Sequence, residues 1–148
     1  MSNIAVPEGF LFHVRNGASY VQTLGDLYGG ELSNGLRVIG LRVSPHHCDR
    51  LSIPHDGKLA TLADTALGVT LHLARHSSTT MVTVNLSLDY LAPAKVGEWL
   101  EASRDATPSW AATGFWRLRA ASGRARGVAG HRYFSVVSRV RPVTEPDG

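Results

Sequence analysis

The sequence predicts an α+β fold in which one antiparallel sheet wraps around a long central helix, and three observations carry that prediction. Residues 57–75, GKLATLADTALGVTLHLAR, are apolar on nearly every side, with Lys58, Asp64 and Arg75 the only charged members. Such a helix, about five turns long, is expected to be enclosed by other elements. Directly afterwards Val82, Val84, Leu86, Leu88 and Tyr90 alternate with Thr83, Asn85, Ser87 and Asp89, the period of a strand with one apolar and one polar face. Strand-like runs then follow near 97–107, 110–121 and 126–138, separated by Pro108 and by Ser122-Gly123. A buried helix followed by consecutive strands is the pattern of a sheet curled about that helix.

Upstream, Tyr20, Leu24, Leu27 and Tyr28 recur at helical spacing within 17–28, which predicts a short amphipathic helix ending at Gly29-Gly30. LRVIGLRV, residues 36–43, places apolar residues among arginines as a strand does, and Ile39-Gly40 breaks the alternation in the manner of a bulge. A His-rich polar loop, 44–56, leads into the long helix. Lys58 lies at the wrong end of that helix for its dipole, and the sequence offers no reason for it. Pro93 ends the alternating strand.

With 148 residues, 43% hydrophobic and 18% charged, the chain suits one core, so a single domain over residues 1–148 is expected. A net charge of +3 is too small to predict a nucleic-acid partner. The charge is unevenly spread. Residues 106–144 hold seven arginines (Arg117, Arg119, Arg124, Arg126, Arg132, Arg139, Arg141) and no acid, whereas residues 1–105 hold eight basic and ten acidic groups. The last third is therefore expected to face anions or solvent. Cys48 is the only cysteine, which excludes an intrachain disulfide and suits a reducing, cytoplasmic compartment. MSNIAVPEGFLFH lacks the basic and then apolar regions of a signal peptide. The apolar-rich stretch 59–74 is interrupted by Asp64, Thr65, Thr70 and His72 and falls short of the ~20 residues that span a bilayer. A soluble protein with no membrane partner is expected.

Asp64 is the first residue that points to chemistry. Asp is a poor residue in a helix interior, and this one lies too deep to cap the N-terminus. Its neighbours at three and four residues are Ala60, Thr61, Leu67 and Gly68, so no intrahelical cation stabilises it. A carboxylate enclosed on an apolar helix is either a general base or nucleophile, or it is buried against a sheet arginine or backbone donors. The helix start supplies a second feature. Its first N–H groups lack intrahelical partners, so an opening near His55-Asp56-Gly57 presents donors to a developing oxyanion, with Asp56 as the expected N-cap.

At these residues the sequence resembles the hotdog-fold acyl-CoA thioesterases of the phenylacetate-pathway (PaaI-like) type. That family carries an upstream Asn, then His-Gly-Gly leading into a helix close to LATLADTALG. Here the stretch is PHDGKLATLADTALG, Pro54 to Gly68, and the following VTVNLSLDYLAPAKVGEWL is also similar. The resemblance covers roughly residues 18–138 and leaves short flexible termini. It implies a hotdog fold, a homodimer with sheets joined edge to edge or a homotetramer built from two such dimers, and coenzyme A thioesters as substrates without a further cofactor. It also implies roles. Asp64 matches the acid that activates water or attacks the thioester, and Asp56 the glycine whose N–H polarises the carbonyl. His55 matches the motif histidine, Asp49 the asparagine that orients water or thioester, and Thr83 a small hydroxyl residue on the next strand. Tyr90, Leu91, Ala92, Pro93, Ala94 and Lys95 match a segment lining the coenzyme A channel. In the family, the Asp64 and Asp49 equivalents come from opposite subunits, so the site is complete only in the dimer.

Departures from the pattern are chemical. His-Gly-Gly is His55-Asp56-Gly57, the Asn is Asp49, and a loop glycine is Ser52. The Asp56 carboxylate opposes negative charge on the thioester oxygen. If Asp49 met Asp64, one would hold its proton towards neutral pH and the pair could serve as acid and base. Three acids could instead bind a metal or cation, but a hard metal needs further oxygen ligands that the sequence does not place. The segment TPSWAAT, 107–113, lacks the basic residues that relatives direct at coenzyme A phosphates. That charge would come from Lys95, Arg104 or the arginine-rich strands, with Arg124 and Arg126 flanking a turn.

Other signals are weaker. His46-His47-Cys48-Asp49 offers metal-ligand types, yet adjacent side chains converge poorly on one ion, and no metal is expected. Cys48 with His47 or His55 could form a nucleophile and base. Trp99, Trp110 and Trp116 are expected in the core or at a dimer interface rather than as a stacking platform. Two functions follow: a thioesterase acting on a small or medium acyl or aryl group, or a non-catalytic hotdog module that binds acyl-CoA or another ligand.

Overall fold

Helix α1 (Asp56–Arg75) forms where the sequence predicts it. The computed structural model describes residues 6–14, 20–31, 33, 35, 37–75, 81–103 and 134–142. Around α1 stand strands β1 (Phe10–His13), β2 (Tyr28–Glu31), β3 (Arg37–Arg42), β4 (Met81–Tyr90), β5 (Trp99–Ser103) and β6 (Phe134–Pro142). β1-β2-β3-β5 form one antiparallel sheet and β4-β6 an antiparallel pair. No described helix is long and apolar enough to cross a membrane. The candidate strand at 110–121, and the first part of that at 126–138, lie outside the described residues, as do Trp110, Trp116, Arg124 and Arg126.

The core lies between α1 and the four-stranded sheet. Ile39, Leu41 and Val43, with Leu100 and Ala102, meet Leu59, Leu62, Ala63, Ala66 and Leu67 of the helix. These helix positions recur every three or four residues and mark one buried face. The opposite face is open: Gly57, Asp64, Gly68 and His72 are exposed and Thr61 is half-buried. The expectation of an enclosed helix therefore holds for one face only. Lys58 also finds its reason, because its Nζ donates to the Thr23 carbonyl at 2.8 Å. This bond ties the first turn of α1 to the segment before β2.

Three sequence expectations are corrected. Of the helix expected at 17–28, residues 17–19 lie outside the described residues, and the rest holds only a 3₁₀ turn, Val21–Leu24, closed by Gly25 at φ 77°. The paired glycines that suggested a helix stop lie instead in β2. They are needed for close approach: a Cβ at Gly29 would lie 2.1 Å from the Phe12 ring, and one at Gly30 would lie 2.3 Å from the Gly9 carbonyl oxygen. Strand β1 was not anticipated, since four residues with no polar alternation give no period to detect.

The bulge expected at Ile39-Gly40 is absent, and β3 keeps its register through Gly40 to both neighbours. Gly40 is there because the Trp99 ring stands over it. A Cβ at Gly40 would lie 2.4 Å from that ring and 2.8 Å from Phe10. Trp99 is 3% exposed on this outer face, packed edge-on against Phe10 at 4.8 Å with the Arg42 guanidinium 5.2 Å from its centroid. Gly40→Ala is therefore expected to destabilise the protein by about 2–3 kcal/mol through overpacking. In a double-mutant cycle with Trp99→Leu, the pair should be less destabilised than the sum of the single changes, while simple additivity would count against this packing.

The real irregularity in the site region lies in β4. Its pairing with β6 shifts between Thr83 and Asn85. Strict alternation would put Val82 and Val84 on the face of Leu86 and Leu88. Instead Leu86 and Leu88 pack against the core, while Val82 and Val84 are 38% and 49% exposed. The extra residue reverses the parity of the strand and turns Thr83 towards α1.

Candidate active site

Helix α1 and the adjoining strand β4 make two contacts along the helix: Thr83 meets Asp64, and, eight residues earlier, Tyr90 meets the Asp56 carbonyl beside His55. Thr83 Oγ1 donates to Asp64 Oδ1 at 2.7 Å. The carboxylate is exposed rather than buried against an arginine, so the expected desolvated Asp does not occur. A hydroxyl fixes one oxygen and leaves acceptor capacity on the other for water or substrate. The bulge in β4 is what delivers that hydroxyl.

At the helix start, His55 rather than Asp56 is the cap. Its Nδ1 accepts the Gly57 N–H at 2.9 Å, and its carbonyl accepts the N–H groups of Lys58 and Leu59 at 2.8 and 3.2 Å. Asp56 is the first helical residue, where its charge complements the helix dipole. Among the described residues, no acceptor engages the Asp56 N–H. An N–H at the first turn of a helix has no intrahelical acceptor. Tyr90 Oη donates to the Asp56 carbonyl at 2.9 Å. Partial burial, and then the Asp56 carboxylate, push the Tyr90 phenol above its ordinary range, so it stays a donor.

Asp49 does not join this group within the chain. Its Oδ1 accepts the Leu51 N–H at 2.7 Å, and its backbone bonds to Ser52 and Ile53 in a tight loop. Ser52, at φ 59°, takes a left-handed conformation that suits glycine better. In the channel segment, Leu91, Pro93 and Lys95 are exposed and Ala92 is half-buried. Ala94 is fully buried in the core and presents no surface.

The His-rich loop is structural. His47 is 5% exposed; its Nε2 donates to the Leu24 carbonyl at 2.7 Å, and its Nδ1 accepts the Ser44 N–H at 3.0 Å. Both nitrogens of a neutral ring are thus used, a role that nothing in the sequence signalled. Burial holds this imidazole below the ordinary histidine range despite the bond to Leu24. Because the unfolded chain binds the proton more readily, this stability is present above about pH 6.5 and lost as pH falls below it. Denaturant unfolding should show a larger drop between pH 7.5 and 5.5 in wild type than in His47→Gln; equal drops would contradict this role. Burial, with a contribution from Asp49, raises the Cys48 thiol, and the thiol donates to the Ser44 carbonyl at 3.6 Å. This environment disfavours a thiolate nucleophile. Among the described residues, no three His, Cys, Asp or Glu side chains cluster to hold a metal.

An antiparallel sheet with one long helix laid across it is the hotdog fold, the scaffold of thioester hydrolases. The profile of the Thioesterase superfamily matches residues 52–127, and the chain belongs to that superfamily. A Pseudomonas aeruginosa protein named "Putative esterase PA0474" is 38% identical over 96 residues, 65% of this chain and 71% of that one. Among solved structures, E. coli PaaI of the phenylacetic acid degradation operon is similar with TM-score 0.66 and 18% identity, over 86% of each chain. BH2602 of Bacillus halodurans, solved with CoA, is similar with TM-score 0.70 and 19% identity, over 89% of this chain and 83% of that one. Membership puts the chemistry in the class of ester and thioester hydrolases.

Proposed function

We propose that the protein is an acyl-CoA thioesterase acting on a small or medium acyl or aryl thioester, with Asp64 as general base or nucleophile and the Asp56 N–H as oxyanion donor. The observation that carries this reading is the Thr83-held Asp64 carboxylate on the same open face as an unengaged helix N-terminal donor. The CoA bound to the similar BH2602 structure supports the substrate class. The coenzyme belongs to the substrate, and no further cofactor is required. A cytoplasmic setting suits a chain whose sole cysteine is a thiol.

Two copies are needed to complete the site. Asp56 and Asp64 are eight residues apart on α1, about 12 Å of axial rise. A thioester carbonyl that takes a hydrogen bond at its oxygen and attack at its carbon, each at about 3 Å, cannot span that separation within one helix. Two α1 helices running antiparallel across a dimer axis would set Asp64 of one copy beside the Asp56 N–H of the other. The open face of α1 and the edge of β4 away from β6, which pairs with no other described strand, support such a homodimer; pairing of two dimers would give the tetramer. Asp49 would then approach Asp64 from the second copy.

Release of free thiol from a panel of acyl- and aryl-CoA substrates tests the assignment. Turnover of at least one thioester is expected. Binding across the panel without any hydrolysis would overturn it in favour of a non-catalytic module.

A further inference from the structure

Tyr90 donates its hydroxyl to the Asp56 carbonyl at 2.9 Å. That carbonyl shares a peptide unit with the Gly57 N–H, which donates to His55 Nδ1 at 2.9 Å. Hydrogen bonds in such a chain polarise one another, because each acceptor that gains a proton donor becomes a better donor at its far end. While the Gly57 N–H is aimed at it, Nδ1 is the bare nitrogen of the ring and Nε2 carries the proton. His55 is exposed, and among the described residues no acceptor engages Nε2. The contact is close: a Cβ at Gly57 would come within 3.1 Å of Nδ1 and press on the ring.

We propose that Tyr90 is a positioning residue of this site, whose hydroxyl holds the Asp56–Gly57 peptide and through it keeps the His55 ring in the tautomer with Nδ1 as acceptor and Nε2–H as donor. The inference rests on the hydrolase reading for its effect on rate, but not for its effect on His55. The Tyr90 hydroxyl is spent on the Asp56 carbonyl, so it acts on the reaction through that peptide. It sets the tautomer and angle of His55, which stands next to the oxyanion donor. The raised phenol supports this, since Tyr90 remains a proton donor across the working pH range.

A second tyrosine at the same helical turn supplies an internal control. Thr61 Oγ1 spends its single proton on the Gly57 carbonyl at 2.8 Å, so at 3.3 Å it accepts from the Tyr20 hydroxyl. This second tyrosine braces the Gly57–Lys58 peptide, whose N–H reaches the His55 carbonyl and not its ring.

Tyr90→Phe and Tyr20→Phe, each lacking one hydroxyl, are compared with wild type by thermal unfolding, by thioester kinetics and by long-range 1H–15N correlation of the histidine ring nitrogens. In wild type, His55 should show a bare Nδ1 and a protonated Nε2. Tyr90→Phe should move these signals towards the tautomer-averaged positions and lower kcat roughly three- to tenfold with KM little changed. Tyr20→Phe should leave the His55 signals in place. Unmoved His55 signals in Tyr90→Phe would overturn the proposal. So would moved signals with unchanged kcat. If wild type hydrolyses no thioester, the hydrolase reading fails, and the ring nitrogens still decide whether Tyr90 sets His55.

Discussion

Asp64→Asn is expected to lower kcat for acyl-CoA hydrolysis by about 10²–10⁴-fold, the range for loss of a positioned base. The substitution is nearly isosteric, and the Asn side-chain oxygen can still accept the Thr83 hydroxyl that lies 2.7 Å from Asp64. Geometry is therefore kept while basicity is removed. Stability should change little, within about 0.5 kcal/mol, because the carboxylate is exposed and has no partner cation in the helix. Steady-state thiol release and a thermal unfolding curve, measured on the same preparation, check both halves. A variant keeping a third or more of wild-type kcat would remove Asp64 from the chemistry.

Asp56→Pro is expected to have the next largest effect, a loss of about 10²–10³-fold in kcat. Asp56 is the first residue of α1, a position where proline is well tolerated because its missing N–H would be unbonded in the helix anyway. The substitution thus removes the oxyanion donor while sparing the fold and the carbonyl that Tyr90 engages. Asp56→Gly separates donor from charge. It keeps the N–H and removes a carboxylate that opposes the developing oxyanion, so kcat should rise about two- to fivefold. The helix should lose a little stability with its favourable N-terminal charge. If Pro and Gly at position 56 gave the same rate, the backbone N–H would not be the donor.

Much of this architecture was legible in the sequence, and the gaps have physical causes. The 20-residue helix announced itself as a long stretch apolar on nearly every side, and β4 through alternation. Its bulge was silent, because Val82 and Val84 are as apolar as the inward Leu86 and Leu88, so composition could not reveal the change of parity. The open face of α1 was hidden in a similar way. Gly57, Thr61, Asp64 and Gly68 recur at helical spacing, but glycine counts as apolar in a wheel and masked a stripe that is exposed or half-buried. Gly40 looked like a bulge because the sequence does not say that a tryptophan 59 residues later fills its side-chain space. Of the candidate site, Thr83 meets Asp64, while His55 and Asp56 stand at the start of the same helix, eight residues away. The cap role of His55 and the bond from Tyr90 depend on the approach of β4 to the helix start, a tertiary contact that spacing along the chain does not encode.

The central claim is that each site joins Asp64 of one copy to the Asp56 N–H of another, and subunit complementation tests it most directly. Asp64→Asn and Asp56→Pro chains are unfolded, mixed in equal amounts, refolded together and assayed for thiol release. Random pairing makes half of the dimers mixed, and each mixed dimer carries one intact site, so the mixture should recover about a quarter of wild-type activity from two inactive parents. A mixture no more active than its parents would contradict a shared site.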